Sequence, residues 1–107
     1  MKIMSRLELH EVLCALLGSR HVYFQGPGNL KMVYPCIVYE SQAESATHAG
    51  NRPYKIHDHY RVIVIDQDPE SPIPRKIAGM QGARAARPYV SDNLNHWPFD
   101  LWPVTSA

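Results

Sequence analysis

The sequence predicts an α+β domain, a small and mostly antiparallel sheet with an N-terminal amphipathic helix and a second short helix packed on one face. Three observations predict it. Apolar residues recur at helical spacing within residues 5–18, a β-branched and aromatic run fills residues 59–65, and turn signals separate the elements. Because the order is helix, strand, strand, helix, strand, both helices are expected on the same face of the sheet.

The first helix is predicted over residues 5–18. Ser5 and Glu8 have the spacing of a capping box, in which the hydroxyl accepts from an early backbone N–H and the carboxylate accepts from the cap N–H. Gly18 supplies a left-handed end. The apolar stripe between them consists of Leu9, Val12, Leu13, Leu16 and Leu17. This stripe is expected to lie on the sheet.

A strand is predicted from about residue 35 to about residue 42. The residues at 36–39 are strand-like, and Pro35 stands at the start, where a missing N–H does least harm. The segment that follows, 42–54, is small, polar and poor in apolar residues. It is therefore predicted to be a long exposed loop.

The strongest strand signal, at residues 59–65, stops at an Asp-Gln-Asp-Pro turn. Ser71 and Pro72 then have the pattern of an N-cap followed by proline at the first helical position, so that a short helix is predicted over residues 72–79. Apolar patches at 89–90 and 97–102 predict one or two short strands that close the sheet.

Composition narrows the class of protein. A length of 107 residues fits one domain, predicted over 1–107 with a short C-terminal tail at 103–107. No apolar run approaches the roughly 20 residues that span a bilayer. A formal net charge of +1 argues against bulk phosphate neutralisation of nucleic acid. Charges near the N-terminus argue against a signal peptide, so residence in the cytoplasm is expected, at least until assembly.

One cluster of His and Asp could carry chemistry. In a strand His57 and His59 share a face while Asp58 points away, a geometry that two metal ligands could use. A third ligand could come from His48, Asp66 or His96. The spacing contains neither HExxH nor paired CxxC, and polar residues at the mouth of a strand are the alternative interpretation.

Nucleophilic chemistry has no sequence support. Cys14 and Cys36 are too far apart for a zinc site of their own and are expected to be reduced and buried. No serine lies in a GxSxG context. No catalytic residue, metal or cofactor is therefore predicted, and the chain is expected not to be an enzyme. The alternative of another class is a metal-dependent enzyme that uses His57 and His59.

Aromatic side chains are concentrated near the C-terminus. Tryptophan is enriched at interface hot spots, so the candidate interface aromatics are Trp97, Phe99 and Trp102. The alternative is that they cap the core. The unpaired edges of a small sheet offer a second route to self-association.

Three blocks resemble a known family. They read ELHEVLCALLGSRHVYFQGPGNLKMVYPCIVYE, then YKIHDHYRVIVIDQDPESPIPRKI, then YVSDNLNHWPFDLW. The most specific parts are VYFQ-P-YP-IVY, the D-DP turn before a short helix, and DNLNH. From about residue 7 to residue 102 the chain resembles the small neck and tail-completion proteins of tailed bacteriophages, called minor capsid, minor tail, head-tail joining or tail terminator proteins.

The resemblance implies a structural virion protein, a tail terminator that forms a ring at the head-proximal end of the tail tube, stops tube growth and joins the tail to the head connector. The runner-up is a head-closure protein of the same neck. The implied partners are further copies of the chain, expected as a hexamer, the tail tube protein and the head-closure or connector protein. Genomic DNA would pass through the ring without sequence-specific binding, and no membrane or cofactor is implied. The expected location is the virion neck, and the host cytoplasm during assembly.

The resemblance also assigns a role to the predicted loop. Residues 42–54 would extend toward the tail tube or a neighbouring subunit. The candidate assembly residues are Gln42, Glu44, His48, Asn51, Arg52, Tyr54 and Lys55. Arg52 and Lys55 are the candidate basic residues that face the channel.

Overall fold

The computed structural model describes residues 2–25, 32–42, 48–49, 52–53 and 59–105. The elements are β1 (Lys2–Ile3), α1 (Arg6–Leu17), β2 (Val22–Phe24), β3 (Cys36–Ser41), β4 (His48–Ala49), β5 (Arg52–Pro53), β6 (Tyr60–Asp66), α2 (Ile73–Ala78), β7 (Ala83–Ala85), β8 (Tyr89–Ser91), β9 (Leu94–Leu101) and β10 (Val104–Thr105). Among these residues, no helix is long and apolar enough to cross a membrane.

The predicted α+β class is confirmed. Within the described ranges, six strands form the main sheet in the order β2-β3-β6-β9-β7, and β8 pairs with β9 beside β7. The pairs β3–β6, β6–β9, β7–β9 and β8–β9 are antiparallel, whereas β2 lies parallel to β3. Both helices contribute their buried side chains to one core on one face of this sheet.

Helix α1 begins and ends where the sequence predicts. The Ser5 hydroxyl accepts from the Glu8 N–H at 3.2 Å, the Glu8 carboxylate accepts from the Ser5 N–H at 3.4 Å, and Gly18 ends the helix at φ +85°. The apolar stripe packs on the core, with Leu9 and Leu13 fully buried. Both cysteines are free and buried, as expected.

The pairing register of the three longest strands decides which side chains reach the core. Alternate residues face the helices: Ile37 and Tyr39 on β3, Tyr60, Val62 and Val64 on β6, and Trp97, Phe99 and Leu101 on β9. Full burial of an aliphatic or aromatic side chain stabilises the fold by roughly 2 kcal/mol. The core therefore lies between the centre of the sheet and the two helices.

Strand β9 is central rather than a closing edge strand, although it contains Pro98. A residue in an antiparallel strand directs its N–H and C=O to the same side. The Pro98 carbonyl accepts from the Ala86 N–H at 2.9 Å, so the missing N–H points toward the gap between β7 and β8 and not toward β6. The proline thus removes no bond from the β6–β9 ladder.

Strands β8 and β9 form a hairpin with a two-residue turn. Asp92 and Asn93 have φ values of +53° and +63°, which is the left-handed conformation that a type I′ turn requires at both positions. Aspartate and asparagine tolerate it better than most side chains. Strands β8 and β9 are therefore joined by a tight turn.

Helix α2 is confirmed but begins differently from the prediction. Its N-cap is Pro72, and the Ser71 hydroxyl accepts from the Ile73 N–H at 3.4 Å. The helix ends at Gly79, as predicted. Ile73 and Ile77 are buried against the sheet and α1.

The predicted loop and the predicted C-terminal tail both contain ladder pairs. In the segment 42–54, His48 pairs with Pro53 and Ala49 with Arg52 as β4 and β5, and the remainder of it after Gln42 lies outside the described residues. The predicted tail at 103–107 is part of the fold as far as Thr105, because β10 pairs with β1 and the Pro103 carbonyl accepts from the Met4 N–H at 3.1 Å.

Gly82 is required by two constraints at once. Its φ is +88°, and a Cβ at this position would collide with the backbone carbonyl oxygen of Trp102. The close approach brings the chain before β7 against the end of β9, where the Trp102 N–H donates to the Gly82 carbonyl at 3.0 Å. Gly18 has a similar φ, but no atom lies within 4 Å of the equivalent Cβ.

Gly82→Ala is therefore expected to lower the free energy of unfolding by about 3 kcal/mol or more, because the left-handed backbone and the collision both oppose it. Gly18→Ala, the matched control, is expected to cost only the left-handed penalty of about 1 kcal/mol. Chemical denaturation of the two variants measures the difference. Equal losses would show that the carbonyl of Trp102 moves aside easily.

Candidate assembly surfaces

The sheet face away from the helices is the first candidate surface. Its side chains lie in cross-strand rows set by the register. One row contains Cys36, Ile65 and His96, and the next contains Val38, Ile63 and Pro98. Cys36, Ile65 and Pro98 are buried, whereas Val38 and Ile63 are half-buried. We call this the open face because neither helix packs on it, although its side chains at Cys36 and Pro98 are fully buried.

A row of alternating charges crosses the open face. The register places Glu40 of β3 opposite Arg61 of β6, Arg61 opposite Asp100 of β9, and Asp100 opposite Arg84 of β7. Nη1 of Arg61 lies 3.7 Å from Oδ1 of Asp100. Directly opposite charges of unlike sign stabilise strand pairing by roughly 0.2–1 kcal/mol each. The row ends in an exposed negative charge at Glu40 and an exposed positive charge at Arg84.

His59 lies beside this row, in contact with Asp100 and Trp102. Its Nε2 is 3.3 Å from Oδ1 of Asp100, and its ring stacks on Trp102 with centroids 4.2 Å apart and planes 5° apart. Its Nδ1 is buried. Both ring nitrogens thus face the protein.

The candidate metal ligands are not brought together within the described residues. His96 lies opposite Ile65 of β6. Ile65 follows His59 by six positions, which is about 20 Å of strand at the usual rise per residue. Asp66 is one position further away. No group of three or more His, Cys, Asp or Glu in the described ranges could hold a metal ion. His57 and Asp58 lie outside those ranges, so the two-histidine hypothesis stays a prediction.

The candidate assembly loop is described in part. Gln42 lies at its root, where its N–H donates to the His59 carbonyl at 2.8 Å and its side-chain amide donates to Glu40 at 3.1 Å. The backbones of His48 and Arg52 belong to the β4–β5 pair. The other candidates, Glu44, Asn51, Tyr54 and Lys55, lie outside the described residues.

The three candidate interface aromatics have different environments. Phe99 is 3% exposed and belongs to the core, so its assignment to an interface is wrong. Trp97 packs partly against the core and lines a groove of about 610 Å³ between α2 and β7. Trp102 lies on the open face against His59. Trp97, Phe99 and Leu101 occupy alternate positions of the sequence, and this spacing is the signal that could have identified them as facing the core.

Exposed apolar side chains lie at both edges of the sheet. On β8, Tyr89 is 47% exposed and Val90 is 68% exposed, and the Tyr89 ring stacks on His96 at 4.7 Å. Beside β2, Val33 is 51% exposed and its N–H donates to the Tyr23 hydroxyl at 3.3 Å. Sequence reasoning did not identify Val33, since a lone valine after a turn carries no interface signal.

Two buried groups have raised pKa values. Burial, and then the charge of Asp66, raise the pKa of the Cys36 thiol from 9.0 to about 11. Burial also raises the pKa of the Tyr39 hydroxyl, against the opposing effect of Arg6. Tyr39 is tied to α1, because its hydroxyl lies 2.7 Å from Nδ1 of His10 and accepts from Arg6 at 3.4 Å. Neither group is placed to react with a molecule in solution.

The different environments of Phe99 and Trp102 predict different losses of stability. Phe99→Ala is expected to lower the free energy of unfolding by about 3–5 kcal/mol, since it empties a core site. Trp102→Ala is expected to lower it by about 1–2 kcal/mol, mainly through loss of the stack on His59. Denaturant titration checks both values, and equal losses would place Trp102 in the core as well.

The raised pKa of Cys36 predicts a pH dependence of stability. Because folding favours the neutral thiol, its contribution is complete below about pH 9 and is lost as the pH rises through about 11. The free energy of unfolding of the wild type should therefore fall relative to that of Cys36→Ala as the pH rises from about 9 to about 11. Urea titrations at several pH values measure it, and a constant difference would contradict the prediction.

Comparison with known proteins assigns no family to this geometry, since no protein-family model, curated protein or solved structure matches the chain. The features of the described residues that bear on function are therefore the open face and the two edges of the sheet.

Proposed function

We propose that this chain is a structural subunit of the neck of a tailed bacteriophage, a tail terminator that forms a ring at the head-proximal end of the tail tube. The ring stops growth of the tube and joins the tail to the head connector. The observation that carries the proposal is that, among the described residues, the sheet has two different edges at opposite ends of one strand path. One edge is formed by β2 and the end of β3, and the other by β7 and β8.

Different edges favour head-to-tail association. A contact between two unlike surfaces of the same chain repeats from copy to copy, and it closes into a ring when the rotation between neighbours closes. In a closed ring every edge is covered, which removes the hazard that unpaired strands present. The exposed apolar side chains at the two edges, Val33 on one side and Tyr89 and Val90 on the other, are then buried between neighbours.

Strand direction also supports head-to-tail contact. Each step from β3 to β6, from β6 to β9 and from β9 to β7 reverses the direction of the chain. Strand β7 therefore runs opposite to β3. When the β7 edge of one copy meets the β3 edge of the next in the same orientation, the new pair is antiparallel, the more stable form of ladder.

The remaining surfaces are assigned to other partners of the neck. The segment 42–54 leaves the sheet at Gln42, next to the charged row. Within this segment, β4 and β5 pair antiparallel. We assign it to contact with the tail tube protein or a neighbouring copy, with Arg52 and Lys55 toward the DNA channel. The head connector is the partner on the opposite side of the ring.

The test is electron microscopy of the purified protein mixed with tail tubes, together with polymerisation of the tube protein in its presence. We expect a ring on one end of each tube and shorter tubes as the protein concentration rises. Binding to the portal side alone would favour the head-closure role instead. A chain that neither associates with itself nor binds tubes or portals would contradict both roles.

A further inference from the structure

Building on the proposed ring, we infer that neighbouring copies are joined through their helices, with Leu7 of α1 in one copy inserted into the groove between α2 and β7 of the next. The partner is a second copy of this chain. Glu8 of the inserted helix pairs with Arg75 at the groove. The contact is made by the helix layer, so it requires no free strand edge beside β3.

The groove lies at one end of the helix layer and has an apolar floor. Its volume is about 610 Å³, a size typical of binding clefts. Helix α2 forms one wall and the sheet forms the floor, and the lining includes Pro74, Arg75, Ala78, Ala85, Trp97 and Phe99. Trp97 is only partly buried by the core. A tryptophan in such a cleft is typical of the centre of an interface.

The other end of the helix layer presents an exposed leucine. Leu7 of α1 is 67% exposed. It shares one flank of the helix with Glu8 and Glu11, which are both exposed. Glu11 accepts from Arg20 at 2.9 and 3.2 Å, and Arg20 lies in the connection that leads into β2. This set of three residues, which we call the α1 flank, is therefore on the β2 side of the helix.

The order of the two helices along the sheet favours head-to-tail contact. Helix α1 contacts β2 and β3, whereas α2 contacts β7 and β9. Two copies that lie side by side in the same orientation therefore place α1 of one copy beside α2 of the next. The α1 flank and the groove are different surfaces, so the same contact repeats from copy to copy and closes when the rotation closes.

The strand register places the α1 flank level with the groove. One cross-strand row on the helix face contains Phe24, Tyr39, Val62, Phe99 and Ala85. The guanidinium carbon of Arg6, the residue before Leu7, lies 4.5 Å from the centre of the Phe24 ring. At the other end of the row, Phe99 and Ala85 line the groove. A side-by-side contact without a shift along the strands thus brings Leu7 to the groove.

The charges of the two surfaces are complementary. The α1 flank has two acids, Glu8 and Glu11, and the groove presents the exposed Arg75. Among the described residues, no ion pair includes Glu8 or Arg75. The acid of the groove, Glu70, precedes the N-terminus of α2. Because like charges repel, the α1 flank is expected over the half of the groove that contains Arg75 and Ala78.

The first test uses two substitutions in the full chain. Leu7→Ala removes the inserted side chain, and Ala78→Phe fills the groove. Each is expected to weaken self-association roughly ten- to hundredfold, the factor that burial of a leucine side chain contributes to a binding constant. Sedimentation velocity and capping of tail tubes measure the loss. Both positions are exposed, so thermal melts should show that the fold is retained.

A one-to-one mixture of these two variants tests whether the contact joins unlike surfaces. Leu7 is intact in the Ala78→Phe copy, and the groove is intact in the Leu7→Ala copy. Mixed dimers should therefore form at close to the wild-type affinity and grow no further, because the next junction lacks both parts. A mixture that associates no better than its components would overturn the insertion of Leu7.

The ion pair is tested with Glu8→Gln and Arg75→Gln, singly and together. The amide of the first variant can still accept from the Ser5 N–H, as the Glu8 carboxylate does at 3.4 Å, so the capping box is retained. Each single substitution is expected to weaken self-association roughly two- to fivefold. The double variant should associate as weakly as either single one, since the pair is already broken. Losses that multiply would overturn the pair.

Two neutralisations elsewhere on the surface supply matched controls. Lys76 is next to Arg75 in sequence, but its Nζ lies 3.5 Å from the Leu16 carbonyl oxygen, on the side of α2 that faces α1 of the same copy. Asp92 lies in the turn between β8 and β9, where asparagine is also favoured. Lys76→Gln and Asp92→Asn should leave self-association unchanged. Losses equal to those of the test variants would assign the effect to net charge and overturn the pair.

The outcomes separate this contact from the proposed function. Rings that persist in Leu7→Ala and in Ala78→Phe would overturn the contact and leave the ring function intact. Variants that still form rings but no longer cap tubes would show that the groove binds the tube protein rather than a second copy, which also overturns the inference. Wild-type protein that forms no ring and caps no tube would overturn the function and the contact together.

Discussion

The pairing of β6 with β9 is the constraint on which the other surfaces depend. Seven residue pairs, from Tyr60 with Leu101 to Asp66 with Asn95, fix the relative position of the two strands. A slip of one residue would turn every side chain of a strand to the opposite face. The register thus puts Val62 and Phe99 under the helices and, by the same alternation, puts Arg61 and Asp100 on the open face. The β6–β9 register therefore determines both the core and the charged row.

The edges of the sheet follow from the way this central pair is flanked. Pro98 provides no donor toward the gap between β7 and β8, so β9 has two short neighbours on that side rather than one long strand. On the far side β2 covers only part of β3. Short, stepped edges are poor templates for indiscriminate strand addition.

Local signals in the sequence predicted the elements that local interactions form. The capping box at Ser5, the left-handed Gly18 and the unbroken apolar run in β6 each involve residues close in the chain. The central place of β9 and the strand character of the alanine-rich β7 could not be predicted in this way, because they result from pairing with distant segments. Phe99 was assigned to an interface because of the local density of aromatic residues, and the structure instead supports the alternative that it belongs to the core.

The ladder between β1 and β10 joins the two ends of the described chain, with Lys2 opposite Thr105 and Ile3 opposite Val104. Contacts between residues so far apart in sequence gain stability only after the intervening chain has been organised, since loop closure opposes them until then. With two pairs, the ladder is expected to close last during folding and to open first in native-state hydrogen exchange. Folding would thus proceed outward from the β6–β9 centre and finish where the chain begins and ends.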